Sequence, residues 1–472
     1  MLIRWLRLHC GASQLHQVIF TVIIWIIIGP VANGQRSERG PVPGNPSGTN
    51  HPSGKYEYEY HPEWPRQMNR ALGSVSAVAF DSGGGVVIFH RGSHVWDIST
   101  FDEGNRYLQV QSGPIQESTL LTFNGDTGGL IKEWGANLFY MPHGLTIDRH
   151  DNFWLTDVAM HQVFKFNPKL STTEPSLTLG IRFEPGSDRH HFCKPTSVAV
   201  LDSGDFFVAD GYCNGRVMKY ASDGTLLMSW GKNSFVLTRT FLMPDGPVPE
   251  SFFAIPHALT YAADKGLLCV ADREQGRIQC FHATNGTFHS MYSSPEIGHR
   301  LFSVKYVPLD GGMFYVINGP PLGTLPVPVT GFLLSMNHNE VVAKFHPNSP
   351  SQPGAFNNPH ELAVSPSGDD IYVAELLPTK VHKFKLKRSL VRSSSVSQST
   401  IDSTAISDTL YASSLTLVTI IASLLGTSCL IMCLFRTVCF KSGGFRRRQR
   451  FSTPGENIAL RTLSQADEEL GT

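Results

Sequence analysis

The sequence predicts an all-β protein, a six-bladed β-propeller with a transmembrane helix near its C-terminus. Three observations carry that prediction. A strand-rich unit recurs through the middle of the chain. The 43 Gly and 30 Pro in 472 residues supply turns for many short strands rather than long helices. An uncharged apolar segment near the end is bounded on one side by a basic cluster. The 39 Lys plus Arg balance the 39 Asp plus Glu, so the electrostatic footprint of nucleic-acid binding is missing. An apolar fraction of 41% excludes a disordered chain.

Taken in order, the chain opens on a basic start with Arg4 and Arg7, then the apolar run Val18–Ile28 and small residues at Ala32 and Gly34. This reads as a secretory signal peptide over residues 1–34, cut near Gly34, with an uncleaved anchor as the alternative. Residues 35–62 are rich in Gly, Pro, Ser and Asn and read as a linker. The folded body is expected over 63–387, and a Ser/Thr-rich stalk over 388–408. The segment 409–435 carries no charge and is long enough to span a bilayer. Arg436, Lys441, Arg446, Arg447, Arg448 and Arg450 follow it, which places the tail, 436–472, in the cytoplasm and the body outside. The expected topology is therefore a single-pass type I membrane protein of the secretory pathway. Polar sequence continuing to Thr472 argues against a lipid-anchor signal.

Four of the eight cysteines fall in the body: Cys193, Cys213, Cys269 and Cys280. An even set in an exported domain reads as two disulfides. Three pairings are possible, and Cys193–Cys213 with Cys269–Cys280 is the economical one, each closing a hairpin-sized loop. A four-cysteine zinc site is the alternative, but the sequence has no C-x-x-C pair. Asn285-Gly286-Thr287 is a usable glycosylation sequon, whereas Asn45 is followed by Pro.

The repeat is clearest in four stretches: Pro142–Phe166, Pro195–Tyr220, Pro256–Phe281 and Pro359–Phe384. Each holds an alternating strand, an Asp/Gly turn, a second apolar strand, an acidic residue and a third short strand. Val75–Trp96 and Phe302–Gly319 are weaker copies, making six units. Strand-rich units of roughly 40–60 residues close radially as a propeller.

Aligned at the first strand, the six units read Ser76, His143, Thr196, His257, Ser303 and His360. Histidine therefore falls in the second, fourth and sixth. The first strand of a propeller blade borders the central channel. Alternate blades of six lie a third of a turn apart, so three imidazoles at one depth converge on the axis. That is the geometry of a three-His zinc site with an open fourth position, which suits catalysis. Copper and iron also accept imidazole. His90, His94 and His161 read as surface or capping residues instead.

The Pro-His trio, with FHRGSHVW, DGYCNGR and CVADREQGRIQC, closely resembles peptidyl-α-hydroxyglycine α-amidating lyase, over essentially the whole body. The resemblance implies a six-bladed propeller of NHL-like repeats that cleaves peptides ending in α-hydroxyglycine to a peptide amide and glyoxylate. It implies zinc on His143, His257 and His360, a catalytic and substrate-binding Arg at Arg91, a catalytic Tyr at Tyr212 that also meets substrate, and a second substrate Arg at Arg273. It also implies a structural calcium on the carbonyls of Val78 and Leu145 and the carboxylate of Glu361, and disulfides Cys193–Cys213 and Cys269–Cys280. Where the family usually has Asp after the third His this chain has Glu361, and where it often has Met two residues before that His this chain has Asn358. Only linker sequence stands between the signal and the propeller, so a monofunctional lyase is expected, supplied by a separate copper monooxygenase. Two rival classes remain at this level. One is a catalytically inactive tethered propeller for binding or adhesion, and the other a calcium-dependent hydrolase. The hydrolase centres on carboxylate and Asn ligands, whereas this chain offers imidazoles.

Overall fold

The computed structural model describes residues 55–387, apart from 67–70, 235–247, 322–326, 350–351 and 354. The expected signal peptide, stalk, transmembrane helix and tail lie outside the described residues. Among the described residues no helix is long and apolar enough to cross a membrane.

Six four-stranded antiparallel sheets form from these residues. Blade 1 runs through Val75–Phe80, Gly85–His90, Leu120–Asn124 and Leu130–Trp134. Blade 2 has Pro142–Ile147, Phe153–Asp157, Gln162–Phe166 and Leu177–Leu179. Blade 3 has Pro195–Val200, Phe206–Asp210, Arg216–Tyr220 and Leu226–Trp230. Blade 4 has Pro256–Ala262, Leu267–Asp272, Arg277–His282 and Phe288–Ser293. Blade 5 has Leu301–Val307, Met313–Asn318, Gly331–Ser335 and Glu340–Phe345. The first strand of each blade packs beside the first strands of its two neighbours, and blade 6 returns to blade 1, closing the ring.

Blade 6 closes the ring with strands from both ends of the body. Asn358–Val364, Asp370–Leu377 and Lys380–Leu386 are joined by Tyr58–His61, which pairs in register with Lys383–Leu386. This corrects the expected linker, 35–62, because its last residues are a strand of the propeller. The alternation in Tyr58-Glu59-Tyr60-His61 has a physical reason: Tyr58 donates to the Gly368 carbonyl at 2.6 Å, and Tyr60 meets His382 Nδ1 at 3.1 Å. Trp64 then packs on Tyr372 and Phe123, carrying the chain across to blade 1.

The second strand of each blade is apolar on both faces, because each face fills a different seam. In blade 3, Phe206 and Val208 pack toward blade 2, while Phe207 and Ala209 pack toward blade 4. Fourth strands face solvent and alternate, as in Leu226–Trp230. Both expected disulfides form, Cys193–Cys213 and Cys269–Cys280. The second of these bridges directly opposed residues of two strands. The long connection between the second and third strands of blade 1 carries Trp96, Phe101 and Tyr107 into one cluster with Tyr140 and Tyr212.

Candidate metal centre and active site

Each first strand loses register with its neighbour near its start, at one place in blades 1–5 and at two in blade 6, around Pro359. The residues displaced there are Ser76, His143 with Gly144, Thr196, His257, Phe302 and His360. A β-bulge re-aims the side chain it displaces, and here it supplies the central ring. Blade 5 corrects the sequence alignment by one residue, from Ser303 to Phe302. The Pro that marks the start of the motif in four of the units is Leu301 there, so the alignment had no fixed point.

Buried carboxylates on the second strands hold the loops that lead into the three histidines. Asp157 accepts the Tyr140 and Met141 amides at 2.7 and 2.9 Å. Asp272 accepts the Ala254 amide at 2.6 Å, and Glu375 those of Asn357 and Asn358 at 2.5 and 2.8 Å. The acidic residue of the repeat is thus a brace for the strand carrying the imidazole. Burial pushes the Asp272 carboxyl up to about 6, although Arg277 beside it pulls the other way.

The three imidazoles converge as the spacing predicts, with one ring nitrogen of each within 4.8 Å of the others. Every Nδ1–H donates to a carbonyl of the next blade: His143 to Thr196 at 2.9 Å, His257 to Phe302 at 2.6 Å and His360 to Ser76 at 2.6 Å. That bond fixes the tautomer and leaves Nε2 as the lone-pair donor, as at metal centres where the second nitrogen is anchored. Burial holds His143 and His257 well below the ordinary imidazole range, aided by His360 among the neighbouring groups. It holds His360 at about 3, with Arg91 the next cause. Neutral rings are the ligating form. His360 Nε2 is buried with no hydrogen-bond partner. The donor set therefore fits a metal ion, one that takes three nitrogens and keeps a position open.

Tyr212 stands over this opening. Its hydroxyl lies 2.9 Å from His143 Nε2 and 3.5 Å from His257 Nε2. Arg273, fully buried, places its guanidinium 5.2 Å from the Tyr212 ring and 5.1 Å from the Phe302 ring. Its carboxylate partner is Glu274 at 2.8 Å, whereas Asp272, its neighbour in sequence, pairs with Arg277. Arg91 donates from Nε to the Pro142 carbonyl at 3.0 Å, next to His143. Its guanidinium lies 5.3 Å from the Trp96 ring, which is 5.0 Å from the Tyr212 ring. The positive charge of both arginines helps to lower the pKa of His143 and His360.

Sequence reasoning missed three contributors. Trp96 lies between Arg91 and Tyr212 in this chain of contacts. Phe302 lends its carbonyl to His257 and its ring to Arg273. Arg300 shares Glu274 with Arg273 at 3.1 Å and lies 5.0 Å from the Phe302 ring. Burial, with Arg273 as the next cause, lowers Arg300 to about 10. Trp96 was legible inside FHRGSHVW, but Arg300 stands in no motif.

His90, His94 and His161 are not ligands. Each bonds main chain instead: His90 Nε2 to Ser118, His94 Nδ1 to Tyr140 and His161 Nδ1 to the Lys194 amide. Asn285 is exposed in a turn, where its side-chain oxygen accepts from Thr287. The residues expected for calcium behave differently from the trio. Val78 and Leu145 take ordinary ladder positions opposite Ile88 and Leu155. The buried Glu361 carboxylate accepts from Lys305 Nζ at 2.9 Å. A carboxylate already neutralised by an ammonium does not fit a calcium ligand set.

Known proteins place this architecture. The NHL repeat model matches residues 139–166, 192–220 and 253–281, which span the first three strands of blades 2, 3 and 4. The chain is 53% identical over 345 residues to peptidyl-alpha-hydroxyglycine alpha-amidating lyase 1 of Drosophila melanogaster, covering 72% of this chain and 62% of that protein. It is 41% identical to lyase 2 of the same organism, covering 66% of this chain and 71% of that one. The chain belongs to the peptidyl-α-hydroxyglycine α-amidating lyase family. A frog relative, peptidyl-glycine alpha-amidating monooxygenase B of Xenopus laevis, is 45% identical over 70% of this chain and 36% of its own length. The chain thus spans about three fifths of the first of these lyases and about a third of the frog protein. Within the family, the resemblance read from the sequence points to the residues that the ring of blades has gathered here.

Proposed function

We propose that this chain is a zinc-dependent lyase that cleaves peptides ending in α-hydroxyglycine to the C-terminal peptide amide and glyoxylate. The observation that carries the reading is three buried imidazoles anchored through Nδ1, with the Tyr212 hydroxyl against their open side, in a chain of this family. His143, His257 and His360 hold the metal. Bound zinc supplies a Lewis acid for the substrate's oxygen.

The reaction needs one C–N bond broken, one proton removed from the α-hydroxyl and one delivered to the departing amide nitrogen. No oxidant or reductant takes part. Tyr212 is the group placed to take the hydroxyl proton at its phenolic oxygen. A free phenol has a pKa near 10, and the Arg273 guanidinium lies 5.2 Å from the Tyr212 ring. Arg91 and Arg273 suit the substrate carboxylate, since a guanidinium pairs with it in a fork. Burial under Trp96 and Phe302 strengthens those interactions by excluding water.

The setting we propose is the secretory pathway, with the propeller on the luminal or extracellular side, one membrane helix at 409–435 and a glycan on Asn285. The α-hydroxyglycine substrate comes from a copper monooxygenase acting first. Relatives that carry the monooxygenase name match this chain over about a third of their length, which supports that pairing.

The test supplies α-hydroxyhippurate to the full-length chain and measures glyoxylate, with chelation and zinc restoration. Zinc-restored release is expected, and Tyr212→Phe should lower turnover by about 10²–10⁴-fold with folding and metal content unchanged. No release from a folded, metal-loaded chain sinks the lyase reading. Near-full activity of Tyr212→Phe removes that residue from the proton-transfer role.

A further inference from the structure

We infer that the Lys305 ammonium stands where the family resemblance calls for calcium, so that the channel carries a built-in cation beside Glu361. The two residues sit on neighbouring first strands, Leu301–Val307 of blade 5 and Asn358–Val364 of blade 6. Their side chains meet at 2.9 Å, with 9% of the Glu361 side chain and 22% of that of Lys305 exposed. Among the described residues no second carboxylate lies within 4 Å of Lys305, so the ammonium is committed to Glu361.

The chemistry of the donor set supports this. Calcium takes 6–8 oxygens and relies on carboxylate charge to offset its own. The other donors implied here, the carbonyls of Val78 and Leu145, are neutral. With Glu361 paired to Lys305, these donors sum to no net charge, so nothing offsets that of an incoming dication. A glutamate reaches one methylene farther than the aspartate usual at this position, which favours contact across the seam to a lysine on the next blade. A tether between blades 5 and 6, close to His360, would then come from the chain itself. The inference does not use the lyase reading and stands or falls separately from it.

The experiment uses the full-length chain in calcium-free buffer with zinc held constant, measuring metal content by mass spectrometry and Tm during a calcium titration. The wild type should carry no stoichiometric calcium, and about 1 mM calcium should move its Tm by less than about 1 °C. Lys305→Ser leaves a buried carboxylate without its partner, so its Tm should fall by about 5 °C and climb back as calcium is added. One tightly held calcium per wild-type chain overturns the inference, as does a wild-type Tm that rises with calcium. Indifference of Lys305→Ser to calcium overturns it too. Should that variant fail to fold, the wild-type metal content and titration decide the matter alone.

Discussion

Blades 2, 4 and 6 and blades 1, 3 and 5 share one backbone plan, yet they contribute to the centre in opposite ways. The first group offers side chains, His143, His257 and His360. The second offers main chain, the carbonyls of Thr196, Phe302 and Ser76, each accepting from the imidazole of the preceding blade. The bulge is common to all six, so it aims the residue without deciding what the residue does. One half of the ring holds the lone pairs that a metal needs, and the other half fixes how those rings are turned. A three-fold site can therefore be built from a six-fold scaffold without breaking the repeat.

The largest effect should come from setting the two groups against each other. His257→Ala removes a ligand, and metal content should fall from one per chain, with turnover lost to background. Thr196→Ala removes a side chain but keeps the carbonyl, so metal binding and most activity should persist. Its cost is about 0.5–1.5 kcal/mol from the lost hydroxyl bonding to the Ala209 and Pro256 carbonyls. Metal loss in Thr196→Ala would break the contrast between side-chain and main-chain blades.

Acid sharpens the comparison next. The unfolded chain keeps its imidazoles near 6.5, whereas burial holds His360 and His161 at about 3 and the other two of the trio well below normal. Between those values the unfolded state binds more protons than the folded one. This contribution to stability is therefore complete above about pH 6.5 and is lost as pH falls toward 3, at up to about 1.4 kcal/mol per pH unit for each ring. The metal-free chain should lose Tm steadily over that window in calorimetry. His161→Asn, chosen because His161 has a positive φ of 55° that Asn tolerates, should flatten the slope by about one ring's share. An unchanged slope would assign the proton uptake elsewhere.

The smallest effect concerns blade 6 alone. Asn358 is buried with neither amide atom hydrogen-bonded. An orphaned polar group of this kind costs about 1–3 kcal/mol. Asn358→Met should therefore raise the Tm by about 2 °C and alter KM more than kcat if substrate is what satisfies the amide. A lower Tm in that variant would show that Asn358 fits its site better than an apolar chain does.

Much of this centre was legible in the chain. The Pro-His dipeptides mark His143, His257 and His360 because proline opens the first strand at the same place each time, and the alternation among units survives uneven loop lengths. Arg91, Tyr212 and Arg273 were readable through the motifs that hold them. What escaped reading depends on partners far away in sequence. Tyr58–His61 lies in a Gly/Pro-rich stretch, and its strand partner is at Lys383–Leu386. Phe302 was misaligned by one residue because Leu301 replaces the proline. Arg300 matters only because Glu274 turns toward it from the neighbouring blade.

The sequence by itself determined the periodicity: six units, apolar on both faces of each second strand, with an imidazole on every other one. Those are local facts, set by alternation and by the residue at each bulge. Only closure of the ring decided that the three imidazoles face one another, that carbonyls of the intervening blades select their tautomer, and that Lys305 meets Glu361. Each of those contacts joins first strands of neighbouring blades, about 50 residues apart or, for His360 and Ser76, 284 apart. No spacing in the sequence fixes such a contact until the blades have closed.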